Sequence, residues 1–228
     1  MASYIIQEVQ KHPDISAVYF YFSHRKPLQD NFLAMAITLV AQLMQHDALL
    51  DYLHSEMVKG NTGTVSTKSE AAKLLDFSLR LRKSFVILDG LDECDRDERL
   101  HICEWFRDII EKLDRKQHGE IRCLFVCQED GFAKKDLRDV SHLRITPELN
   151  WKDILSFSRI AQDSIEASLG QCPLGSDKAS ISEIVTSRAN GMFIYAKLVL
   201  SELKSCPTRG AIRQEWSPES FPDGIAEV

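Results

Sequence analysis

The sequence lacks the features that define three common classes of protein. No run of lysine and arginine offsets the net charge of −6 and the isoelectric point near 5.7, so a nucleic-acid-binding surface is not expected. No apolar stretch reaches the roughly 18 residues that span a bilayer, and no basic leader precedes an apolar segment at the start. We therefore expect an intracellular, cytoplasmic protein that binds neither nucleic acid nor membranes.

The spacing of familiar metal and nucleophile sites is also absent. The six cysteines are scattered, without a C-x-x-C pair and without histidine at zinc-finger spacing. The seven histidines form no recognisable triad with Ser and Asp or with Cys. We expect reduced, mostly buried thiols rather than a metal site, and no hydrolase nucleophile. The cysteines are Cys94, Cys103, Cys123, Cys127, Cys172 and Cys206.

The most informative stretch that is present is FVILDGLDE, at residues 85–93. Four large apolar residues in succession suit a strand covered on both faces, as parallel strands usually are. Three acids, Asp89, Asp92 and Glu93, follow the carboxyl end of that strand, where open α/β sheets bind their ligands. A carboxylate held there can place a hydrated Mg²⁺ against nucleotide phosphates. The alternative is that Asp92, Glu93 and Asp95 only lie favourably in the first turn of a helix.

The pattern along the chain predicts an α/β fold that becomes all-helical near residue 149. The alternation of helices and strands indicates a parallel sheet. Asn150 is predicted to cap a helix, Ser180 and Glu183 to form a capping box, and Gly191 to end a helix. The predicted domains are an α/β core at 1–148, a helical subdomain at 149–206 and a linker toward a further domain at 207–228. Helices are predicted at 1–10, 31–45, 51–57, from Thr67 or Ser69 to 81, 99–113, 150–169, 177–189 and 192–203, and strands at 15–23, from 85 onward, 121–127 and 143–147.

Several segments together resemble one known family. Residues 85–93 resemble the extended Walker B motif of NACHT-type STAND NTPases, which are P-loop NTPases that act as signalling switches. The chain looks most like the nephrocystin-like N-terminal NACHT regions of filamentous fungi. Four other segments carry the resemblance. Residues 123–130 resemble the family's sensor strand, and residues 150–154 resemble the start of its helical subdomain. Residues 190–196 resemble the G-M-F signature of that subdomain, and residues 221–225 resemble the segment leading into the next domain.

The resemblance implies a P-loop NTPase-like parallel sheet and roles for four residues. Asp89 matches the aspartate associated with Mg²⁺, and Asp92 and Glu93 match the acids of which one orients the attacking water. Gln128 lies at the end of the sensor strand, where many relatives carry an arginine that senses the γ-phosphate. A glutamine supplies no positive charge there. Mg²⁺ and ATP or GTP are the expected cofactors of the family.

The Walker A loop of that family, G-x-x-x-x-G-K-[ST], occurs nowhere in the sequence. By resemblance, residues 1–6 align with the helix that follows this loop, so the sheet is expected to be shortened at its N-terminal side. The strand before the loop would lie between 121–127 and 143–147, and its loss should leave an empty position with two unpaired edges. We expect weak or no binding of Mg·ATP, because the backbone cradle and its lysine supply most phosphate contacts.

Two functions therefore remain open on the sequence. The first is part of the nucleotide-binding domain of a signalling switch. The second is a non-catalytic protein-interaction module, a degenerate NACHT domain that binds protein partners or further copies of itself through its sheet edge and helical subdomain. A small-molecule kinase is disfavoured, because no lid or arginine-rich acceptor segment is evident.

Overall fold

The chain forms two compact units, Met1–Val140 and Ser141–Val228, in a computed structural model. No helix in the described part of the chain is both long and apolar enough to cross a membrane. The structure describes residues 2–25, 29–44, 50–51, 55, 65–113, 120–128, 133–137, 140–170 and 180–215.

The first unit is built on a parallel sheet of three described strands in the order β1-β2-β3. Strand β2, which contains the apolar half of the 85–93 stretch, lies in the centre, and its residues Val86, Ile87 and Leu88 are fully buried. An α/β fold with a parallel sheet is thereby confirmed. The strands are β1 (Ile15–Tyr21), β2 (Lys83–Asp89) and β3 (Ile121–Val126). The helices are α1 (Ala2–Gln10), α2 (Phe32–Leu43), α3 (Lys68–Arg80), α4 (Arg96–Glu111) and the single turn α5 (Ala133–Asp136).

Alternate residues of β2 point to opposite faces of this sheet. Val86 and Leu88 belong to the larger core, which α2, α3 and α4 cover. Ile87 belongs to a smaller cluster that it forms with Ala2 and Ile6 of α1. The central strand is therefore packed on both faces, which explains why its apolar run is continuous rather than alternating.

Local capping fixes where the helices of this unit begin. Asn31 caps α2 through a hydrogen bond from the Ala34 amide to its side-chain oxygen. Of the two predicted caps for α3, the structure selects Thr67, which forms a capping box with Glu70. Helix α4 begins at Arg96, three residues before the predicted start at 99.

The second unit contains helices and no strand in its described residues, 141–170 and 180–215. Its core joins apolar side chains from every helix, and Tyr195, Val199 and Leu203 are fully buried in it. The capping box of Ser180 and Glu183 is confirmed. The helices are α6 (Pro147–Leu169), α7 (Ile181–Ala189), α8 (Phe193–Ser205) and α9 (Arg209–Glu215).

The connection between α7 and α8 depends on left-handed backbone. Asn190 and Gly191 have φ values of 44° and 83°. A Cβ on Gly191 would lie 2.7 Å from the Cα of Pro147, so any side chain there would force α6 and this turn apart. The prediction that Gly191 ends a helix in this conformation is confirmed, with Asn190 sharing the role.

The predicted strand at 143–147 is wrong. Residues 141–146 form neither helix nor strand, and Leu143 and Ile145 are exposed. Pro147 instead begins α6, because its fixed φ suits the first helical position. Without a strand there, the expected empty position in the sheet does not arise, and β3 is the edge strand in the part of the chain that the structure describes.

Two further predictions in this unit need correction. Asn150 does not cap α6 but lies inside it, and its Nδ2 donates to the Gly191 carbonyl at 3.1 Å. The range 207–228 is not wholly a linker, because α9 forms within it and buries Ile212 in the core. The prolines of this range favoured the prediction of a linker, and its apolar residues did not indicate a helix. Residues 216–228 and most of the predicted helix at 51–57 lie outside the described residues.

Candidate functional site at the carboxyl edge of the sheet

The three described strands end side by side. In the parallel register, Asp89 pairs with Tyr21 of β1 and with Val126 of β3. Two backbone hydrogen bonds extend this pairing past the strands, from the Phe22 amide to the Asp89 carbonyl at 2.8 Å and from the Gly90 amide to the Val126 carbonyl at 2.9 Å. Asp89 is thus the last residue of the central strand, flanked by a neighbour on each side.

The glycine of the D-G-L-D-E string turns the chain at this point. Gly90 has a φ of 78°, and a Cβ on it would lie 3.1 Å from the Phe22 carbonyl oxygen. The turn leads into a single 3₁₀ turn, Leu91–Glu93, in which Leu91 is fully buried. The spacing of the string therefore has a local cause: a left-handed glycine, an apolar anchor and two acids that follow it.

Asp89, one of the three acids whose roles the resemblance implied, is half-buried at the end of the central strand. Burial raises the pKa of its carboxyl above the usual aspartate value. The Asp92 carboxylate acts in the same direction, and a hydrogen bond from the Gly90 amide opposes the shift. A bound cation would offset the cost of keeping this carboxyl ionised.

Asp92 and Glu93 make a different kind of contact. Asp92 Oδ1 accepts a hydrogen bond from the Gln128 amide at 3.0 Å, just past the end of β3. Glu93 Oε2 accepts one from the His24 amide at 2.9 Å, just past the end of β1. Each acid thus holds the backbone that continues one outer strand. The structure brings all four predicted site residues to this edge, with the exposed Gln128 as a backbone partner of Asp92.

Sequence reasoning missed the charged residues of α4 that support this edge. Glu98 Oε2 accepts from the Phe32 amide at 3.0 Å and its other oxygen pairs with Lys68. Arg99 Nε lies 3.2 Å from Asp136 Oδ2, and the two side chains are only 4% and 5% exposed. One signal was available: Arg99 lies three residues before the fully buried Ile102, on the apolar face of the predicted helix.

The edge fits a cation better than it fits phosphate. Carboxylate oxygens are ligands that Mg²⁺ prefers, although no group of three or more metal-ligating side chains occurs among the described residues. Phosphate is usually held by backbone amides, but five of the described amides past the strand ends are already hydrogen-bonded within the chain. They belong to Phe22, Ser23, His24, Gly90 and Gln128.

The thiols near the edge are shielded. Burial raises the pKa of both Cys94, which follows Glu93, and Cys103 of α4 to about 12. Cys94, Cys103 and Cys123 are free thiols. Thiolate chemistry at neutral pH is therefore disfavoured at Cys94 and Cys103.

These observations define an α/β domain with an acidic, cation-compatible carboxyl edge. The profile of the family described as "Nephrocystin 3, N-terminal" matches residues 1–128, more than half of the chain. The chain belongs to this family, and the matched range contains the three described strands and the residues from Asp89 to Gln128. No curated protein and no solved structure matches the chain.

Proposed function

We propose that this chain is part of the nucleotide-binding domain of a NACHT-type STAND switch, in which Asp89 faces the Mg²⁺ of a bound ATP or GTP. The observation that carries the proposal is the position of Asp89. It ends the central strand, and its carboxyl is partly desolvated. Asp92 and Glu93 each accept a hydrogen bond from an amide that follows an outer strand, whereas the described amides after those strands donate no such bond to the Asp89 carboxyl. The family match over residues 1–128 supports placing this edge in a domain of a larger protein.

Hydrolysis by this arrangement is expected to be slow. Bound Mg²⁺ would neutralise charge on the β- and γ-phosphates. Asp92 and Glu93 each use one carboxylate oxygen to accept from a backbone amide, and one of the two acids would orient the attacking water with its second oxygen. Gln128 adds no positive charge beside the γ-phosphate. The chain therefore supplies the cation-facing side of the site without an arginine at this position.

The phosphate-facing side is weaker still. The sequence contains no G-x-x-x-x-G-K-[ST] loop, and five of the described amides at the edge are already hydrogen-bonded within the chain. We therefore propose that the chain alone binds nucleotide weakly and that its ATPase or GTPase activity is low or absent.

A paramagnetic titration tests the role of Asp89. Mn²⁺ added to the ¹⁵N-labelled chain should broaden the amide signals of Gly90 and Leu91 first, and Asp89→Asn should abolish this selectivity. Asp95→Asn is the matched control, because exposed Asp95 makes no side-chain capping bond. Broadening that persists in Asp89→Asn, or that is absent from Gly90 in the unmodified chain, would show that Asp89 does not face a cation.

The second candidate, a non-catalytic interaction module, is favoured by apolar residues that the helical unit leaves exposed. Phe157 of α6 contacts Phe193 of α8 edge to face, with ring centroids 6.1 Å apart, and Ile160, Ile194 and Leu198 are also exposed. Such surfaces commonly bind protein.

Self-association through this surface can be measured by light scattering over a range of concentrations. The module hypothesis predicts a mass that rises with concentration and returns to that of a monomer in Ile160→Asp/Ile194→Asp. A constant monomer mass in the unmodified chain would reject self-association as the function.

A further inference from the structure

The segment after the Gly90 turn contacts five other parts of its unit through side chains. We call residues 92–99 the tie segment. Its contacts cross long stretches of sequence, with separations between 30 and 69 residues. They are Asp92 with Gln128 after β3, Glu93 with His24 after β1, Glu98 with Phe32 of α2 and with Lys68 of α3, and Arg99 with Asp136 of α5.

We infer that Asp92 and Glu93 are positioning residues, which hold the continuations of β3 and β1 on either side of Asp89 by accepting hydrogen bonds. Both contacts are made to a backbone amide, and both amides lie within three residues of a strand end. What such a contact needs is an acceptor oxygen. The negative charge strengthens the bond but is not required to form it.

The tie segment is itself held firmly enough to position its neighbours. Leu91, immediately before it, is fully buried in the main core. At its other end, the Arg99–Asp136 pair is buried, and Arg107 Nη2 also donates to the Asp136 carbonyl at 3.2 Å. Asp92 and Glu93 therefore extend from a short segment that is packed at both ends, so their oxygens have little freedom to move away from the two amides.

The consequence concerns how the edge is assembled. Residues 22–25 after β1 and 127–128 after β3 form the two walls beside Asp89, and each wall is tied by one carboxylate. The statement that these walls enclose a nucleotide site rests on the proposed function. The ties themselves rest only on the contacts described above.

Amide hydrogen exchange of the whole 228-residue chain, measured by NMR, tests the ties one at a time. Asp92→Ala should accelerate exchange of the Gln128 amide about three- to tenfold and leave the His24 amide within about twofold. Glu93→Ala should do the reverse. Asp92→Asn and Glu93→Gln keep an acceptor oxygen, so they should restore most of the protection at their own amide.

The control is Asp95→Ala, which removes an adjacent exposed acid without a side-chain capping bond and should change neither amide. Three results would overturn the inference: unchanged exchange in the alanine variants, equal acceleration in the amide variants, or a uniform acceleration that includes the Leu88 amide in the centre of β2. Unchanged exchange in the alanine variants would mean that the carboxylates do not hold these amides. Equal acceleration in the amide variants would mean that the contact requires a negative charge, and a uniform acceleration would mean a general loss of stability.

The outcome is separable from that of the Mn²⁺ titration. Ties that behave as expected, together with no selective Mn²⁺ broadening at Gly90, would reject the proposed cation role and retain the positioning roles. Selective broadening without an exchange response would do the opposite.

Discussion

The two units of the chain use polar side chains in different ways. In residues 1–140, polar side chains reach backbone far away in the sequence, as Glu93 does to His24 over 69 residues and Glu98 to Phe32 over 66. In residues 141–215, most described polar contacts are local, such as the capping box at Ser180 and the Gln162–Glu166 pair. The difference indicates that apolar periodicity and caps specify the helical unit, whereas the α/β unit also depends on a few individual polar contacts.

The largest expected effect is the loss of the buried ion pair. Arg99→Ala leaves the Asp136 carboxylate buried without this partner, so unfolding free energy should fall by about 3–5 kcal/mol. Urea unfolding measures the change. Arg80→Ala, which removes a partly exposed pair with Asp76, should cost only about 0.5 kcal/mol. Equal losses for the two variants would mean that the long-range contact has no special importance.

The next effect concerns the outer edge of β1. Gln42 Oε1 accepts from the Tyr19 amide at 2.9 Å, and its Nε2 donates to the Tyr19 carbonyl at 2.8 Å, so one side chain satisfies both groups. Gln42→Ala should lower the unfolding free energy by about 1–2 kcal/mol. Gln7→Ala, at an exposed position of α1, is the control and should stay within about 0.5 kcal/mol. Similar losses of unfolding free energy in the two variants would show that the long-range contact of Gln42 does not stabilise the α/β unit.

Matched capping variants should behave alike in the two units. Thr67→Ala and Ser180→Ala each remove the capping side chain of a capping box, and each should cost about 1 kcal/mol. Thermal unfolding of both variants provides the measurement. A cost several times larger in one unit would show that local caps also differ between them, which would weaken the contrast drawn from long-range contacts alone.

The smallest effect should be a gain in stability. Burial raises the pKa of Asp89, so the ionised carboxylate destabilises the folded chain at neutral pH. Asp89→Asn should therefore raise Tm by about 1–2 °C at pH 7. The gain should be full above the raised pKa and vanish as the pH falls below the usual value of 3.8, where the carboxyl is protonated in both the folded and the unfolded state of the unmodified chain. A gain that does not depend on pH would point to a cause other than charge.

What could be predicted from the sequence was local. The apolar run of β2, the left-handed Gly191, the α3 cap at one of two candidate residues and the box at Ser180 all leave a signature within a few residues. The same holds for the placement of Asp89 at a strand end. Where the local pattern was short, it misled: the 143–147 run lacks a strand partner in the described chain, and the contribution of Ile212 of α9 to the core was not recognised.

The ties could not be predicted, because nothing in the sequence marks their partners. A backbone amide has no side-chain identity, so neither His24 as the partner of Glu93 nor Tyr19 as the partner of Gln42 could be read from residue types. Arg99 was different, since its place on an apolar helix face signalled burial, although not which acid it would meet. The catalytic roles that the resemblance implied for Asp92 and Glu93, and the cofactor role for Gln128, stay predictions.

Calorimetric titration of the 228-residue chain with Mg·ATP most directly tests whether this edge supplies only the cation-facing side of a nucleotide site. Because no Walker A loop is present and five of the described edge amides are already hydrogen-bonded, we expect no measurable heat or a Kd on the order of 1 mM or weaker. Asp89→Asn should abolish any weak binding, and Asp95→Asn should leave it unchanged. A micromolar Kd for the unmodified chain would contradict this account, because it would require strong phosphate contacts without a Walker A loop.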